Sequence, residues 1–518
     1  MEREYIVVVN KGIDLTEFDA EMAAEQGHGP IPSRAVDIAN PRLGSRRMTH
    51  WMLTDEEAEE LRDDPRVLSV EIPPEQRTDI QIGLRAYQSG NFYRGSTGVN
   101  SEVNWGLRRV VEQTNVYGTG NTVLGDYQYA LDGTGVDVVI QDSGIQPDHP
   151  DFNDYSGTTR VQQIDWYTAS GLPGTQSANH YRDLDGHGTH CAGIAAGLTY
   201  GWAKGAHVYS QKLAGLETLQ GADGTGIPIA DAFDAIRLWH SSKTNGRPTV
   251  VNMSWGYTFT TSADPTSGNY QGSGWVYGAD YNTDEELWTG TGIVTKYGDG
   301  SRRMPVQVAS IDAEIDDMIA AGIIVCIAAG NDYYKADVFG GTDYDNYVNI
   351  GGQQIYYHRP SSPYSDEAFI VGNIDSATVT GTSTDKTADS SKKGPAVNIW
   401  APGTDIMSTS SNQADAVYTL YEYPNDSNYN IMSISGTSMA APQIAGVAAL
   451  YLQVHPEATP KRVFDKLVAE STTEINSTSL DDDYTNVANS IMGSEQRHVY
   501  TKYGRQPYAI TGTVSINT

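Results

Sequence analysis

The stretch "DLDGHGTHCAGIAAG", Asp183 to Gly197, sets two histidines, His187 and His190, three apart between glycines and ahead of small residues. Such a pair can ligate a metal, act as a catalytic base or simply pack. A zinc site of the HExxH kind needs histidines four apart on a helix, with a glutamate between them as base. Here Gly188 and Thr189 intervene and no carboxylate does, so zinc fits worst. Two further positions carry chemistry. Asp142 closes the apolar run "VVIQ" and is followed at once by Ser143 and Gly144, while Ser438 sits in the glycine-flanked turn "SGTSMA". Each alone has a bland reading, since a strand-end Asp is often an N-cap and a turn serine is usually just that. Together they make the set Asp, His and Ser.

The surrounding pattern shows what must position them. From Trp105 to about Glu470 apolar strand runs alternate with helical ones. "GVDVVIQDSG", "PTVVNMSWG" and "GIIVCIAAGN" read as strands that end in glycine or polar turns, and "IADAFDAIRLWHSS" and "SIDAEIDDMIAA" as helices. That alternation predicts an α/β fold with a mostly parallel central sheet and helices on both faces. Chemistry then collects at the carboxyl ends of the strands. Residues 257–304 and 332–363 break the rhythm: they are rich in Tyr, Gly and Asp, without clear helical periodicity, and read as insertions. Residues 1–76 form a separate small α+β unit of strand, helix, strand, helix, strand, in which Thr54 and Glu57 spell a capping box. Residues 77–104 are polar and glycine-rich and read as a linker. Residues 475–518 are a C-terminal extension of unassigned role.

The chain has 518 residues, with 34 basic against 65 acidic side chains and a formal charge of -31. Nucleic acid binding by phosphate neutralisation is not expected from that balance. Two cysteines, Cys191 and Cys326, do not make a disulfide scaffold; both lie in apolar or small-residue runs and read as buried free thiols. No apolar run approaches the ~18 residues of a membrane span, and "MEREYIVVVN" lacks the basic start and apolar core of a secretory signal. If Met1 is the native start, a cytoplasmic or phage-associated setting is expected; the compartment is otherwise undetermined.

The motifs together resemble a known family, the subtilisin-like serine proteases (subtilases), and within it the proteinase K branch. "GHGTHCAGIAAGLTYGWAKGAHVYSQKL" carries that branch's signature, including the Cys after HGTH; "VVIQDSGIQPDHPDF", "VVNMSWG", "AAGN" and "SGTSMAAPQIAGVAALYL" follow in family order. The resemblance covers about Trp105 to Glu470, within a catalytic domain set at residues 105–474, and implies the subtilisin-like three-layer fold. It also implies roles. Ser438 would be the nucleophile, His187 its base and Asp142 the residue that orients the base, with Asn331 in the oxyanion hole. His190 is then a packed structural histidine. Ser254, Trp255 and Gly256, with Ala328, Ala329 and Gly330, would line the cleft and pair with an extended polypeptide substrate. The small residues leave room for a large side chain before the scissile bond, and Trp255 is expected to narrow one subsite. No cofactor is required by such chemistry. Calcium is left open without assigned ligands: Asn398 replaces an aspartate that anchors calcium in proteinase K-like relatives, and "GTDYDNY" is an acidic loop.

Residues 1–76 resemble the ferredoxin-like inhibitory propeptide of subtilases, with "YIVVV" and "LTDEEAEELRDDPRVLSVE" as the best matching parts. The resemblance implies a latent zymogen whose own N-terminal domain is an inhibitory partner, its tail lying in the cleft like a product. An alternative is a structural or assembly component, for example of a phage particle, carrying a subtilase domain.

Overall fold

The computed structural model describes residues 2–42, 44–77, 80–84, 104–115, 129–154, 156–214, 225–379, 382–414, 418–473, 475 and 490–504. Most of the expected linker and much of the C-terminal extension therefore lie outside the described residues.

The first unit runs β1 (Arg3–Val9), α1 (Leu15–Met22), β2 (Ile38–Asn40), β3 (Met48–Leu53), α2 (Asp55–Leu61) and β4 (Val67–Glu71). Its antiparallel strands are ordered β2-β3-β1-β4, the βαββαβ arrangement of ferredoxin-like folds. Both halves of the capping box form: the Glu57 amide donates to Thr54 Oγ1, and the Thr54 amide donates back to the Glu57 carboxylate. Tyr5, Val7 and Val9 alternate inward from β1 onto Phe18, Trp51 and Leu61, giving this unit its own core.

The larger unit begins with α3 (Trp105–Val110), β6 (Asp137–Asp142), β7 (Val161–Gln162), α4 (Trp166–Ser170) and α5 (His187–Ala196). It continues through β8 (His207–Lys212), α6 (Ile229–Ser242), β9 (Thr249–Met253) and β10 (Trp255–Thr261), then α8 (Ala309–Ala320) and β14 (Ile324–Ala328). After β17 (Phe369–Thr378), β18 (Asp385–Thr387), β19 (Ile399–Pro402) and β20 (Ile406–Ser410) come α9 (Thr437–Val454) and α10 (Pro460–Glu470). The main sheet is ordered β18-β17-β14-β9-β6-β8-β7, with β19 added on β17. Every pairing except β17 with β18 is parallel. Helices α5 and α9 cover one face and α6 and α8 the other, so the expected three-layer α/β arrangement is present. α5 is buried along its whole length and α9 from Thr437 to Leu452, which explains their small residues. A Cβ on Gly446 would sit 2.8 Å from the Ala195 carbonyl oxygen of α5 and 2.5 Å from Trp202 Cβ, so the two helices close only around glycine there.

Three segments differ from expectation. The two insertions are not irregular: they carry β11 (Pro265–Tyr270), β12 (Ser273–Val276), α7 (Asp284–Thr291), β13 (Arg302–Pro305), β15 (Tyr347–Ile350) and β16 (Gln353–Ile355). β11 and β15 pair with each other, so residues far apart in sequence share one sheet, β12-β11-β15-β16. The tight turn at Gln271 and Gly272, both at positive φ, makes the β11–β12 hairpin. Within the linker, β5 (Ile80–Leu84) is a strand, because the edge of β10 gives it a partner. Finally, residues 490–504 of the C-terminal extension pack back onto the main unit, where Ile491 and Val499 join the core.

The two units meet over α6 and α8. Ile6, Val8 and Met48 contact Ala313. Beside them Arg42 is buried between Asp234 and Glu314, at 3.1 and 2.7 Å, and Arg47 pairs with Asp316 at 3.1 Å. α8 has no side-chain cap of its own. Glu71, at the end of β4, supplies one, accepting from the Ala309 and Ser310 amides and the Ser310 hydroxyl at 2.9, 3.3 and 2.8 Å.

Candidate active site

Sheet topology brings the chemistry-bearing residues together. Asp142 is the last residue of β6, His187 the first of α5 and Ser438 the second of α9, and all three are buried. His187 Nδ1 lies 2.8 Å from Asp142 Oδ1. The same carboxylate oxygen accepts the Ser143 amide at 2.7 Å, which fixes its direction. His187 Nε2 has no hydrogen-bond partner among the described residues. Ser438 Oγ donates to the Ser254 carbonyl at 3.0 Å, at the junction of β9 and β10. A turn about its Cα–Cβ bond is what would bring it to the free imidazole nitrogen, and catalytic hydrogen bonds commonly close only with substrate present.

The N-terminus of α5 is held by a residue to which the sequence reading gave no role. Asp183 accepts from the Ser143 hydroxyl and the Gly186 amide, both at 2.9 Å, and from the Thr189 amide and hydroxyl, at 2.9 and 2.6 Å. It thereby ties the turn after Asp142 to the helix that starts with His187. The visible signal was an Asp just ahead of a helix start. Asp185 accepts the His187 amide at 3.2 Å and the Tyr418 hydroxyl at 3.3 Å. Burial, with Asp183 and Asp142 adding to it and His187 opposing, pushes its carboxyl up to about 7. Tyr418 belongs to an extension between β20 and α9, containing β21 (Leu420–Tyr423) and β22 (Asp426–Ile434), that the sequence reading did not separate.

Burial alone would lower the His187 imidazolium, but the Asp142 carboxylate and the Cys191 sulfur together outweigh it and hold the ring well above the ordinary histidine range. His190 behaves differently. Its Nε2–H donates to the Ile406 and Met432 carbonyls at 3.0 and 3.1 Å, and burial pushes it down to about 3. It is a neutral, packed histidine. Cys191 and Cys326 are free and buried, as expected. Cys191 lies beneath the imidazole, with Sγ 3.8 Å from His187 Nδ1, and donates to the Ser438 carbonyl at 3.4 Å. Asp142, His187 and Cys191 converge closely enough to hold a metal, yet burial raises the Cys191 thiol, which disfavours the thiolate a metal would need.

Asn331 follows β14 and is oriented by the segment before the serine. Its Oδ1 accepts from the Thr437 amide at 2.9 Å and the Thr437 hydroxyl at 3.1 Å, and the Gly330 amide donates to the same hydroxyl at 3.0 Å. Ser254 Oγ donates to the Ser438 carbonyl at 2.9 Å. Ala328 and Ala329 are buried at the sheet's end, where the Ala329 amide donates to Val371. Two expectations fail. Trp255 does not narrow a subsite: strand alternation turns its side chain away from Ser254 and Gly256 into the core, where it packs on Phe233 and Tyr257 and donates to Gln141 at 3.2 Å. The room beside Gly330 is also reduced, because a Cβ there would lie 3.1 Å from Lys392 Cδ and Cε.

In both regions weighed for calcium, polar side chains have protein partners. Asn398 accepts the Ile370 amide at 2.9 Å and donates to the Ala368 carbonyl at 2.8 Å, so its amide bridges backbone where an aspartate would bind an ion. In "GTDYDNY", Asp343 pairs with Lys335 at 2.5 Å and Asp345 with Arg359 at 2.7 Å. Among the described residues no helix is long and apolar enough to cross a membrane.

The chain is similar to known proteins in sequence and fold. The family described as the subtilase family matches residues 133–492. The chain is 25% identical over 421 residues to an extracellular serine proteinase of Thermus sp. (strain Rt41A), covering 81% of this chain and 70% of that protein. It is 27% identical over 388 residues to the subtilisin-like serine protease Pen c 2 of Penicillium citrinum, covering 73% of this chain and 63% of that one. Among solved structures, fervidolysin from Fervidobacterium pennivorans, a keratinolytic enzyme related to subtilisin, aligns with a TM-score of 0.52 at 18% identity. That alignment covers 97% of this chain and 61% of fervidolysin, and it speaks for the fold.

Proposed function

Because the chain belongs to the subtilase family, we propose that it is a serine endopeptidase working through Asp142, His187 and Ser438. The observation that carries this reading is the buried His187–Asp142 pair at 2.8 Å beside a serine at a helix N-terminus. A serine hydroxyl is a poor nucleophile until a base takes its proton. His187 Nε2 is the nitrogen left available, and Asp142 holds the ring by Nδ1 in the tautomer that accepts there. As Ser438 Oγ attacks the scissile carbonyl, the imidazole becomes charged and Asp142 stabilises it; the proton then passes to the leaving amine. Negative charge develops on the carbonyl oxygen. Asn331, tethered by its oxygen to Thr437, would donate through Nδ2 to that carbonyl oxygen, and the first amides of α9 add a favourable dipole.

The N-terminal unit supports a latent form. β5 pairs antiparallel with β10, Leu84 opposite Trp255 and Gly83 opposite Gly256. That is the backbone edge an extended substrate would use. Self-cleavage is therefore proposed just beyond Leu84, a narrower window than composition alone allows.

A fluorophosphonate probe tests the reading. It should label the activated protein and fail on Ser438→Ala, which should also remain full length and leave casein intact. Equal labelling of both proteins would overturn the assignment.

A further inference from the structure

β9 and β14 are adjacent parallel strands, paired up to Met253 and Ile327. Beyond that point they part. Residues 255–259 turn to pair with β5, while Ala329 and Gly330 bond to Val371 and Lys392. Ser438 stands at the fork, with Oγ on Ser254 and its neighbour Thr437 on Gly330. A chain lying on β10 in the register of β5 brings the residue after Leu84's position level with Ser254. The side chain of that residue, the one preceding the scissile bond, would then point to the fork beside Gly330.

What waits there is polar. Lys392 is fully buried, its stem lies along Gly330, and its ammonium faces Asp332 Oδ2 at 3.3 Å and Ser361 Oγ at 3.4 Å. Asp332 directly follows Asn331. Among the described residues its buried Oδ1 has no hydrogen-bond partner, a costly state for a carboxylate oxygen unless a ligand completes it. The stem of Lys392 narrows the entrance and disfavours a wide aromatic ring. A long, thin side chain with a donor at its tip satisfies both conditions.

We propose that Asp332 selects substrates with arginine or lysine before the scissile bond. The inference rests on the serine endopeptidase reading above and adds its substrate class. Two further observations favour it: the chain's charge of -31 attracts cationic peptides over long range, and the residue that follows Leu84 in the sequence is Arg85.

The test is a series of tetrapeptide anilides differing only in the residue before the bond (Arg, Lys, Gln, Phe or Glu), hydrolysed by the activated enzyme. kcat/KM for Arg and Lys should exceed that for Phe by about tenfold or more, the scale of one charge-assisted hydrogen bond. Asp332→Asn should cut the Arg-to-Phe ratio by about tenfold with the Phe rate little changed. Lys392→Met, which removes the competing ammonium, should raise that ratio and provides a second reading if Asp332→Asn folds poorly. A wild-type enzyme that prefers Phe, or a ratio unmoved by both variants, overturns the proposal. Preference for Glu that disappears in Lys392→Met also overturns it and moves the selection to the lysine. Fluorophosphonate labelling of each protein separates these outcomes from failure of the catalytic reading, in which Ser438 would not react at all.

Discussion

Glu71 gives the sharpest test of how the N-terminal unit holds the protease. It lies in one unit and caps a helix of the other through three hydrogen bonds of 2.8 to 3.3 Å. Since α8 has no cap of its own, the cap's free energy counts toward association between units. An N-cap contributes about 1 kcal/mol, and a negative charge at a partly buried helix N-terminus adds about 1 kcal/mol. Glu71→Ala should therefore weaken association by about 2 kcal/mol, roughly 30-fold at 1.4 kcal/mol per decade. Glu71→Gln keeps an acceptor and loses the charge, so about fivefold is expected. The assay is inhibition of mature enzyme by residues 1–84 added in trans, a unit with its own core that carries the strand lying on β10. Raising salt should narrow the difference between wild type and Glu71→Gln, because the lost term is electrostatic. An inhibition constant for Glu71→Ala within about threefold of wild type would refute the reasoning; the interface would then rest on Arg42 and the apolar contacts alone.

Asn331→Ala should lower kcat by about two to three orders of magnitude with KM nearly unchanged, as for loss of one oxyanion donor in subtilisin; a raised KM with intact kcat would make Asn331 a binding residue. His187 must be neutral to accept the serine proton, and Asp142, with the Cys191 sulfur, holds its pKa well above the ordinary value, so kcat/KM should climb with pH through and beyond neutrality. Asp142→Asn should move that rise to lower pH while reducing kcat by about four orders of magnitude. Thiol probes should reach Cys191 and Cys326 only after unfolding, and fast labelling of the native protein would contradict their burial. A zinc-specific chelator should leave activity intact, because His187 needs its nitrogens for Asp142 and the serine proton; loss restored only by zinc would reverse that view. After linker cleavage, activity should lag, since the unit still docks through Glu71, Arg42 and β5; simultaneous onset would show that the cut alone releases it.

Much of this arrangement is legible in the sequence because it is local. Asp142 ends an apolar run, His187 opens a small-residue helix and Ser438 stands two residues after a glycine, and each signal sits within a few residues of the side chain it positions. The parallel sheet follows from strand and helix runs of ordinary length. The capping box at Thr54 and Glu57 needs only a four-residue window, and it formed as read. His190 was separable from His187 only through the resemblance, because residues three apart on a helix share a face and both are buried.

What stayed hidden depends on partners distant in the chain. β11 and β15 are separated by the whole of α8 and β14, so neither Tyr-rich insertion reads as regular until the other supplies its edge. β5 is a strand for the same reason, with β10 as its template. Trp255 was placed in the cleft because its neighbours belong there, yet side chains along a strand alternate, and its large ring takes the buried face. Lys392 is the clearest case. In the sequence it is one of two lysines in a polar stretch, which ordinarily means a solvated surface. In the fold the carbonyl of Gly330 accepts its amide, and its stem lies along Gly330 with the ammonium at Asp332 and Ser361. Backbone pairing settled by β14 and α9 thus decides where a charge lies relative to the nucleophile. The catalytic chemistry is a property of short motifs; the choice of substrate is a property of contacts between them.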